Sequence, residues 1–215
     1  MAVLIRRLEE QDELESFDCG DEPLNNYLKR HAWTNQQKSS IGVTYVAADE
    51  AAPRSVIGYF TLATASVPRH GFPKKYVRGL PPYDLPLILL ARLAVDRRFS
   101  GRGLGHALIS EVFKIALRVA DDVGCRCIIT DAYRDRADWY ARYGFVPLEG
   151  AAAGGPQRMF LDIRTIRMAL KTVVRKNSVD RDSSMSFRAS GPRKFMKVLS
   201  VTALFSAPAP RLSTL

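Results

Sequence analysis

A glycine-rich turn between an apolar segment and an amphipathic segment constrains this sequence more than any other feature. Leu85–Val95 is apolar throughout except for Arg92, which predicts a buried strand. Leu104–Val123 has apolar residues at spacings of three and four, which predicts a helix with one buried face. The turn between them contains three glycines, Gly101, Gly103 and Gly105. Because glycine adopts backbone conformations closed to other residues, this order predicts an α/β fold whose turn lets a ligand approach the main chain.

The remaining segments alternate between strand and helix patterns. Apolar residues at helical spacing predict a helix over Glu22–Lys38, and a shorter helix is predicted over Arg136–Tyr143. Strands are predicted over Val3–Arg6, Gly42–Ala48, Ser55–Val67, Cys125–Thr130, Phe145–Leu148 and Met159–Ile163. Residues 68–84 contain four prolines and two glycines, which predicts a long basic loop without regular structure. This order predicts a mixed α/β sheet with helices on its faces.

The positive charge is concentrated at the C-terminus. The chain carries a net charge of +10, and residues 172–215 contain eight Lys/Arg but two Asp/Glu. The overall charge is therefore weak evidence for nucleic-acid binding by itself. We expect one folded domain over residues 1–170, and we expect residues 171–215 to be a basic, disordered tail. A short basic helix around Arg193–Leu204 that contacts a partner is the alternative.

Cysteine usage and hydropathy indicate the compartment. The three cysteines, Cys19, Cys125 and Cys127, are odd in number and form no C-x-x-C pair. Two of them, Cys125 and Cys127, lie in an apolar strand-like run, which predicts buried thiols and favours a reducing environment. The sequence contains no apolar run of the roughly 20 residues needed to cross a bilayer, and its first residues do not resemble a signal peptide. We expect a cytoplasmic protein that does not contact membranes, and we predict no metal site.

The chemistry of the turn favours an anion. Free backbone N–H groups at the start of a helix, together with the helix dipole, attract negative charge. Arg98 and Arg102 add side chains suited to phosphate. The turn matches neither G-x-x-x-x-G-K-[ST] nor G-x-G-x-x-G. A ligand that carries a pyrophosphate group is therefore expected here, but this pattern does not identify it.

Two blocks of residues resemble the GNAT acetyltransferase superfamily. Arg98-x-x-Gly101-x-Gly103 resembles the [Q/R]-x-x-G-x-[G/A] loop that holds the pyrophosphate of coenzyme A in that family. Ala137–Phe145 resembles the family's A-x-x-[FWY]-Y-x-x-x-G-F segment. The resemblance implies acetyl-CoA as co-substrate. It also implies a mostly antiparallel central sheet flanked by helices, with strands that splay apart around the coenzyme A site.

The same resemblance assigns roles to individual residues. The loop residues expected to bind the cofactor are Arg98, Phe99, Ser100, Gly101, Arg102, Gly103, Leu104 and Gly105. The pantetheine arm is expected to pair with the backbone of Leu93, Ala94 and Val95. Tyr140 matches the tyrosine beside the sulfur, where a phenol with a reference pKa of about 10 can act as general acid. Hydrogen bonding to the sulfur, or simple packing, are the alternatives for Tyr140.

A narrower resemblance concerns the acceptor. Phe17–Gly20, Leu24–Leu28, Gly58–Leu62 and Leu90–Asp96 together resemble the GNAT toxins of toxin–antitoxin modules, the TacT type, over residues 3 to about 165. Such a resemblance implies acetylation of the α-amino group of aminoacyl-tRNA, which stops translation. It further implies a homodimer that is neutralised by a ribbon–helix–helix antitoxin. Ala91 departs from the glycine expected at its position.

The residues give this interpretation some independent support. An α-amino group with a pKa near 8 is partly neutral at cellular pH and needs no strong base, whereas a lysine amine near 10.4 usually does. Several basic residues are available for the tRNA backbone, where contacts position the substrate without reading its sequence. The predicted tRNA-binding residues are Lys29, Arg30, Lys74, Lys75, Arg78 and Arg92. A solvated basic loop explains any one of them equally well, except Arg92, which interrupts an apolar strand.

Two other functions remain open at this point. A GNAT enzyme could acetylate a protein N-terminus or a small-molecule amine. A non-catalytic module could bind acyl-CoA or tRNA without chemistry, although the presence of both the loop and Tyr140 argues against it.

Overall fold

The computed structural model describes residues 2–148 and 155–179, with side chains up to residue 172. It contains a seven-stranded sheet in the order β1-β2-β3-β4-β5-β7-β6. The strands are β1 (Val3–Arg7), β2 (Val43–Asp49), β3 (Ala52–Val67), β4 (Leu85–Val95), β5 (Cys127–Ala132), β6 (Val146–Pro147) and β7 (Gln157–Asp162). Strands β4 and β5 pair in parallel, and every other neighbouring pair is antiparallel. The predicted mixed, mostly antiparallel sheet is confirmed.

Six helices accompany this sheet in the described part of the chain. They are α1 (Glu22–Asn26), α2 (Ala32–Gln37), α3 (Lys74–Val77), α4 (Leu104–Asp122), α5 (Ala137–Ala141) and α6 (Ile163–Val179). A π-helical turn over Tyr27–His31 joins α1 directly to α2, so the helix predicted over Glu22–Lys38 is confirmed with this interruption. The Asp21 side chain caps its start by accepting a hydrogen bond from the Leu24 N–H. None of these helices is both long and apolar enough to cross a membrane.

Residues 68–84 are more ordered than the sequence predicted. A 3₁₀ turn forms over Arg69–Gly71, and α3 forms over Lys74–Val77. Pro68 and Pro73 occupy the cap positions just before these two turns. The prediction of a loop without regular structure is therefore wrong for these turns. Proline prevents a continuing strand, but it is tolerated where a helical turn begins because no N–H is needed there.

The predicted domain boundary at residue 170 falls inside a helix. Helix α6 continues to Val179, so residues 171–179 are helical and the expectation of disorder is wrong for them. Ile166 is buried in the core, and Arg167 forms an ion pair with Asp121 of α4. The apolar spacing of this helix continues through Ala169 and Leu170, up to the predicted boundary. Residues 180–215, with the alternative helix around Arg193–Leu204, lie outside the described residues.

Helices cover both faces of the sheet centre. Helix α4 buries its apolar stripe, including Leu108 and Val112, against one face. The first helical segment buries Leu28 and Ala32 against the other face. In β3, Val56 and Tyr59 belong to the second core, whereas Ile57, Phe60 and Leu62 belong to the first. A register shift between β2 and β3 at Ile57 interrupts the regular alternation of the strand. The covered sheet leaves the fork between β4 and β5 as the position where a ligand can enter.

Candidate active site

Strands β4 and β5 separate halfway along β4. They pair at Leu87 to Leu89 with Cys127 to Ile129, whereas β3 stays paired with β4 as far as Val95. Beyond the fork, the Thr130 hydroxyl donates a hydrogen bond to the Leu90 carbonyl at 2.9 Å. The edge of β4 that faces away from β3 therefore has no strand partner over Leu93, Ala94 and Val95. An extended ligand with amide groups can pair with this edge.

The glycine turn leads from this edge into α4. Gly101 and Gly103 have φ angles of +75° and +81°, a left-handed conformation that only glycine adopts without strain. A Cβ atom at either position would meet no atom within 4 Å, so the space above the turn is open. Between residues 101 and 105, no N–H group donates a backbone hydrogen bond within the described part of the chain. With the dipole of the 19-residue α4 behind them, these groups form an anion site.

The turn's remaining predicted residues differ in exposure. Leu104 is buried and begins the core-facing stripe of α4. Phe99 is half-buried, whereas Ser100 and Arg102 are exposed. A Cβ atom on Gly105 would lie 3.4 Å from the Trp139 ring, so the glycine allows that ring to approach the helix start. Most residues of the predicted loop are therefore exposed, and the buried Leu104 side chain fixes the end of the loop to the core.

The two loop arginines occupy different environments. The Arg98 side chain forms an ion pair with the fully buried Asp96 at 2.7 Å and donates to the Ser16 carbonyl at 3.0 Å. The Arg102 guanidinium carbon lies 5.4 Å from the centre of the Phe99 ring, and it has no ion-pair partner among residues 2–148 and 155–172. The Arg98 guanidinium contacts the protein while its side chain is 55% exposed, so its role as a phosphate ligand stays a prediction. The Arg102 side chain is exposed as well.

Tyr140 lies in an aromatic cluster on α5. Its side chain is 8% exposed and packs edge-to-face against Trp139 and Phe145, with ring centres 4.9 and 5.4 Å away. Burial raises the pKa of Tyr140 to about 12, although the Thr130 side chain and the Arg136 charge both act to lower it. Thr130 also marks the fork between β4 and β5. The phenol is therefore protonated at neutral pH and lies where the two strands separate.

The other aromatic residues of this cluster support the helix start. The Tyr143 ring stacks on His106 in the first turn of α4, with ring centres 6.0 Å apart, and it contacts Trp139 at 4.7 Å. Burial lowers the pKa of His106 and raises that of Tyr143. Trp139 and Tyr143 therefore pack between α5 and the first turn of α4.

The predicted tRNA-binding residues form two separate groups. Lys74, Lys75 and Arg78 are exposed and line a groove of about 1090 Å³ around α3, together with Arg69 and His70. Lys29 and Arg30 belong instead to the π-helical turn. The two groups flank different hydrophobic clusters and approach opposite ends of β4. The six predicted residues therefore belong to two separate basic surfaces.

Arg92 joins the second group. Its guanidinium carbon lies 3.6 Å from the centre of the Tyr27 ring in the same π-helical turn. Tyr27 was not predicted as a site residue, and neither was Thr130. Both lie far in sequence from the residues that they contact, so the spacing of residues gave no signal for them. The π-helical turn is the only local sign, since such turns often occur at functional sites.

In the described residues, no three His, Cys, Asp or Glu side chains come together as a metal site would require.

Comparison with known proteins identifies the family. A sequence profile for the acetyltransferase (GNAT) domain matches residues 40–147. The tRNA-acetylating toxin of Mycobacterium tuberculosis (strain ATCC 25618 / H37Rv) is 33% identical over 141 residues, which span 65% of this chain and 82% of that protein.

Solved structures agree with the sequence comparison. The AtaT complex with acetyl-methionyl-tRNAfMet matches with a TM-score of 0.71 at 26% identity, over 79% of this chain and 99% of that one. A mutant AtaT toxin bound to acetyl-CoA and the C-terminus of the antitoxin AtaR matches with a TM-score of 0.64 at 25% identity, over 78% and 98%. The splayed β4–β5 fork, the glycine turn and the domain match all agree, and the chain belongs to the GNAT acetyltransferase family.

Proposed function

We propose that this chain is a toxin that transfers the acetyl group of acetyl-CoA to the α-amino group of aminoacyl-tRNA and thereby stops translation. One observation carries the proposal. The open edge of β4 leads into the unbonded amides of the glycine turn, and the buried Tyr140 phenol lies beside Thr130, which bonds to β4 at the fork. The fork belongs to a chain that resembles a tRNA-acetylating toxin over most of that protein's length.

The residues present fit acetyl-CoA. The pantetheine arm is extended and carries amide groups, which match the free backbone groups of Leu93, Ala94 and Val95. The pyrophosphate matches the amides of Gly101 to Gly105 at the start of α4. When bound there, acetyl-CoA supplies an activated acetyl group at the thioester carbon. In our proposal the chain positions this carbon at the fork, beside the aromatic cluster of Trp139 and Tyr140.

Tyr140 acts on the departing sulfur. The amine nitrogen bonds to the acetyl carbon, the carbon–sulfur bond breaks, and the sulfur leaves with the bonding electron pair. With a pKa of about 12, the phenol is a weaker acid than a thiol near 8.5, so full proton loss to the thiolate is uphill. Tyr140 therefore donates a hydrogen bond to the sulfur as charge develops there, and the proton released by the amine completes the thiol.

The acceptor amine needs no protein base. Strand β4 contains no carboxylate, and Asp96, which follows it, is buried and paired with Arg98. Asp96 therefore cannot accept a proton from a substrate in solvent. An α-amino group with a reference pKa near 8 is partly neutral at cellular pH, and the Arg92 charge nearby shifts it further toward the neutral form. A lysine acceptor near 10.4 would require a base, and neither β4 nor Asp96 supplies one.

The two basic surfaces supply contacts for tRNA. Lys29, Arg30 and Arg92 lie on the side of the fork, and Lys74, Lys75 and Arg78 line the groove at the start of β4. Such contacts to phosphate position a nucleic acid without reading its sequence. In our proposal the first group meets the acceptor end that carries the amino acid, and the groove meets phosphates further along the acceptor stem.

The remaining partners are inferred from the resemblance. We propose that the chain acts as a homodimer in the cytoplasm and is neutralised by a ribbon–helix–helix antitoxin. The similarity to a toxin bound by the C-terminus of its antitoxin supports the existence of such a partner. The three free thiols, Cys19, Cys125 and Cys127, are compatible with a reducing compartment.

Expression in bacterial cells tests this function. Induction of the wild-type chain should arrest growth and lower amino-acid incorporation, whereas Tyr140→Phe should do neither at equal protein levels. In a cell-free translation reaction, fresh aminoacyl-tRNA should restore synthesis after the toxin has been removed. Arrest that persists in Tyr140→Phe, or synthesis that fresh aminoacyl-tRNA does not restore, would contradict the proposal. A GNAT enzyme for another amine would then be the better interpretation.

A further inference from the structure

Asp96 links the end of β4 to the glycine turn through several hydrogen bonds. Its side chain is fully buried and accepts from the Arg98 N–H at 2.9 Å, from Arg98 Nε at 2.9 Å and from Arg98 Nη2 at 2.7 Å. It also accepts from the Asp18 N–H at 3.2 Å. Burial alone would raise the pKa of Asp96, but the hydrogen bonds and charge of Arg98 outweigh this and lower it. The Asp96 carboxylate is therefore charged, and it accepts hydrogen bonds from Asp18 and Arg98 at the start of the turn.

Residues 16–18 form the second support of the turn. The Arg97 N–H donates to the Asp18 carbonyl at 2.9 Å, and the Arg97 side chain pairs with the Asp18 carboxylate. Arg98 Nη2 donates to the Ser16 carbonyl at 3.0 Å. These contacts join segments that lie about 80 residues apart in sequence and fix the 3₁₀ turn Arg97–Phe99 from outside β4.

The support is itself anchored in the fold. Phe17 is fully buried and packs edge-to-face on Tyr59 with ring centres 5.5 Å apart. The Asp18 carboxylate accepts from the Gly20 N–H at 2.8 Å and from Asn25 Nδ2 at 3.0 Å. The Arg98 guanidinium is thus held between a buried carboxylate and a rigid segment. The Arg98 side chain keeps both contacts while it is 55% exposed, and Arg102, four residues further on in the same loop, has no ion pair in the described residues.

We propose that Asp96 and Arg98 are positioning residues for acetyl-CoA, which brace the glycine turn so that its amides face the pyrophosphate, and that Arg102 supplies the loop cation for phosphate. This inference rests on the proposed use of acetyl-CoA. It assigns Arg98 a role through the backbone of the turn instead of direct contact with phosphate. The two roles predict opposite effects when the charge of Asp96 is removed.

Binding of acetyl-CoA to the full chain, measured by isothermal titration calorimetry, distinguishes the roles. If Asp96 and Arg98 brace the turn, Asp96→Asn loosens it and raises the Kd for acetyl-CoA roughly tenfold, because misplaced binding groups lose much of their effect. At saturating acetyl-CoA, kcat should stay within about twofold, since the reacting atoms are untouched. If Arg98 instead binds phosphate, Asp96→Asn frees its guanidinium and tightens binding. An unchanged or lower Kd overturns the proposal.

A second pair of variants remains decisive if Asp96→Asn does not fold. Removal of a cation that contacts phosphate weakens the dependence of affinity on salt, because one fewer screened charge pair remains. Arg102→Gln should therefore flatten the plot of Kd against ionic strength. Arg98→Gln should raise the Kd but keep the wild-type slope. The opposite assignment of slopes would overturn the proposal.

A matched control separates positioning from general destabilisation. Asp162 is also buried, and it accepts from both terminal nitrogens of Arg126 at 3.0 and 2.7 Å at the end of β7. Asp162→Asn should lower the melting temperature but leave the Kd for acetyl-CoA unchanged. An equal rise of the Kd in this control would show that lost stability explains the effect. Failure of the wild-type chain to bind acetyl-CoA would overturn the proposed function itself, and this inference with it.

Discussion

The Arg92 guanidinium carbon lies 3.6 Å from the centre of the Tyr27 ring. This contact joins β4 to the π-helical turn Tyr27–His31 between α1 and α2. The same turn carries Lys29 and Arg30. Tyr27 is 6% exposed and stacks in turn against Tyr59, whose hydroxyl donates to the Leu24 carbonyl at 2.8 Å. The charge of Arg92 is therefore held at a fixed place beside the reactive fork.

We predict that Arg92→Lys raises the KM for aminoacyl-tRNA about fivefold, since a flat guanidinium stacked on an aromatic ring contributes about 1 kcal/mol. The KM for acetyl-CoA should not change, because the arginine does not belong to the glycine turn. Tyr27→Phe keeps the ring and should behave as wild type, whereas Tyr27→Leu should reproduce the arginine variant. Steady-state kinetics with each substrate varied in turn would check this. A parallel rise of both KM values would contradict it.

Tyr140→Phe should lower kcat about 100-fold, because the hydrogen bond to the departing sulfur is lost. Both KM values should change little, and far-ultraviolet circular dichroism should match the wild type. Tyr143→Phe is the matched control, since Tyr143 is equally buried in the same aromatic cluster. We expect it to retain nearly full kcat. Equal losses in the two variants would assign Tyr140 a packing role.

The pKa of Tyr140 predicts a loss of stability at high pH. The folded state holds this pKa at about 12, above the value near 10 of an unfolded chain. The stabilisation from the neutral buried phenol is complete below pH 10 and is lost as the pH rises through 12. Urea unfolding should show a loss of about 2 kcal/mol from this residue across that interval. Tyr140→Phe should lose less free energy of unfolding over the same interval, and identical slopes would count against burial as the cause.

Gly103→Ala should weaken acetyl-CoA binding about tenfold, because its Cβ enters the open space above the turn amides. The left-handed φ of +81° should also cost about 1 kcal/mol of stability. Gly124→Ala provides the comparison, since Gly124 has a φ of +102° at the far end of α4. That variant should lose similar stability and keep its affinity. Calorimetry and thermal unfolding of both variants are sufficient to decide.

The groove around α3 should contribute to tRNA binding through charge alone. Replacement of Lys74 and Lys75 by Gln should weaken tRNA binding and reduce the slope of log K against log salt by about two, one for each phosphate contact. Acetyl-CoA binding should be unaffected. Arg118→Gln, an exposed arginine on α4, should change neither property. An unaltered salt slope in the lysine variant would exclude the groove from the tRNA surface.

Local patterns predicted the fold well, whereas contacts between distant segments could not be predicted. The apolar strand, the glycine turn and the amphipathic helix are contiguous, so their periods and conformations are visible in the sequence. The role of Arg98 depends on the Ser16 carbonyl, which only the folded chain brings within 3.0 Å. Arg92 and Tyr27 are also far apart in sequence, so their stacking could not be predicted from it.

The end of the domain was misplaced for a different reason. A change of composition after residue 170 outweighed the helical spacing of Ile163, Ile166 and Leu170, although this spacing continues the core. Periodicity was the better signal here, because burial depends on which side chains face the sheet and not on overall charge.

Acetylation of aminoacyl-tRNA is the reaction that defines the proposed function. The direct measurement is transfer of labelled acetyl from acetyl-CoA to a pool of charged tRNAs, with peptides and small amines offered in parallel, for wild type and Tyr140→Phe. We predict label on the α-amino group of the aminoacyl moiety, at a rate about 100-fold lower in the variant. Label on a peptide or small amine but not on charged tRNA, from a chain that binds acetyl-CoA, would contradict the account.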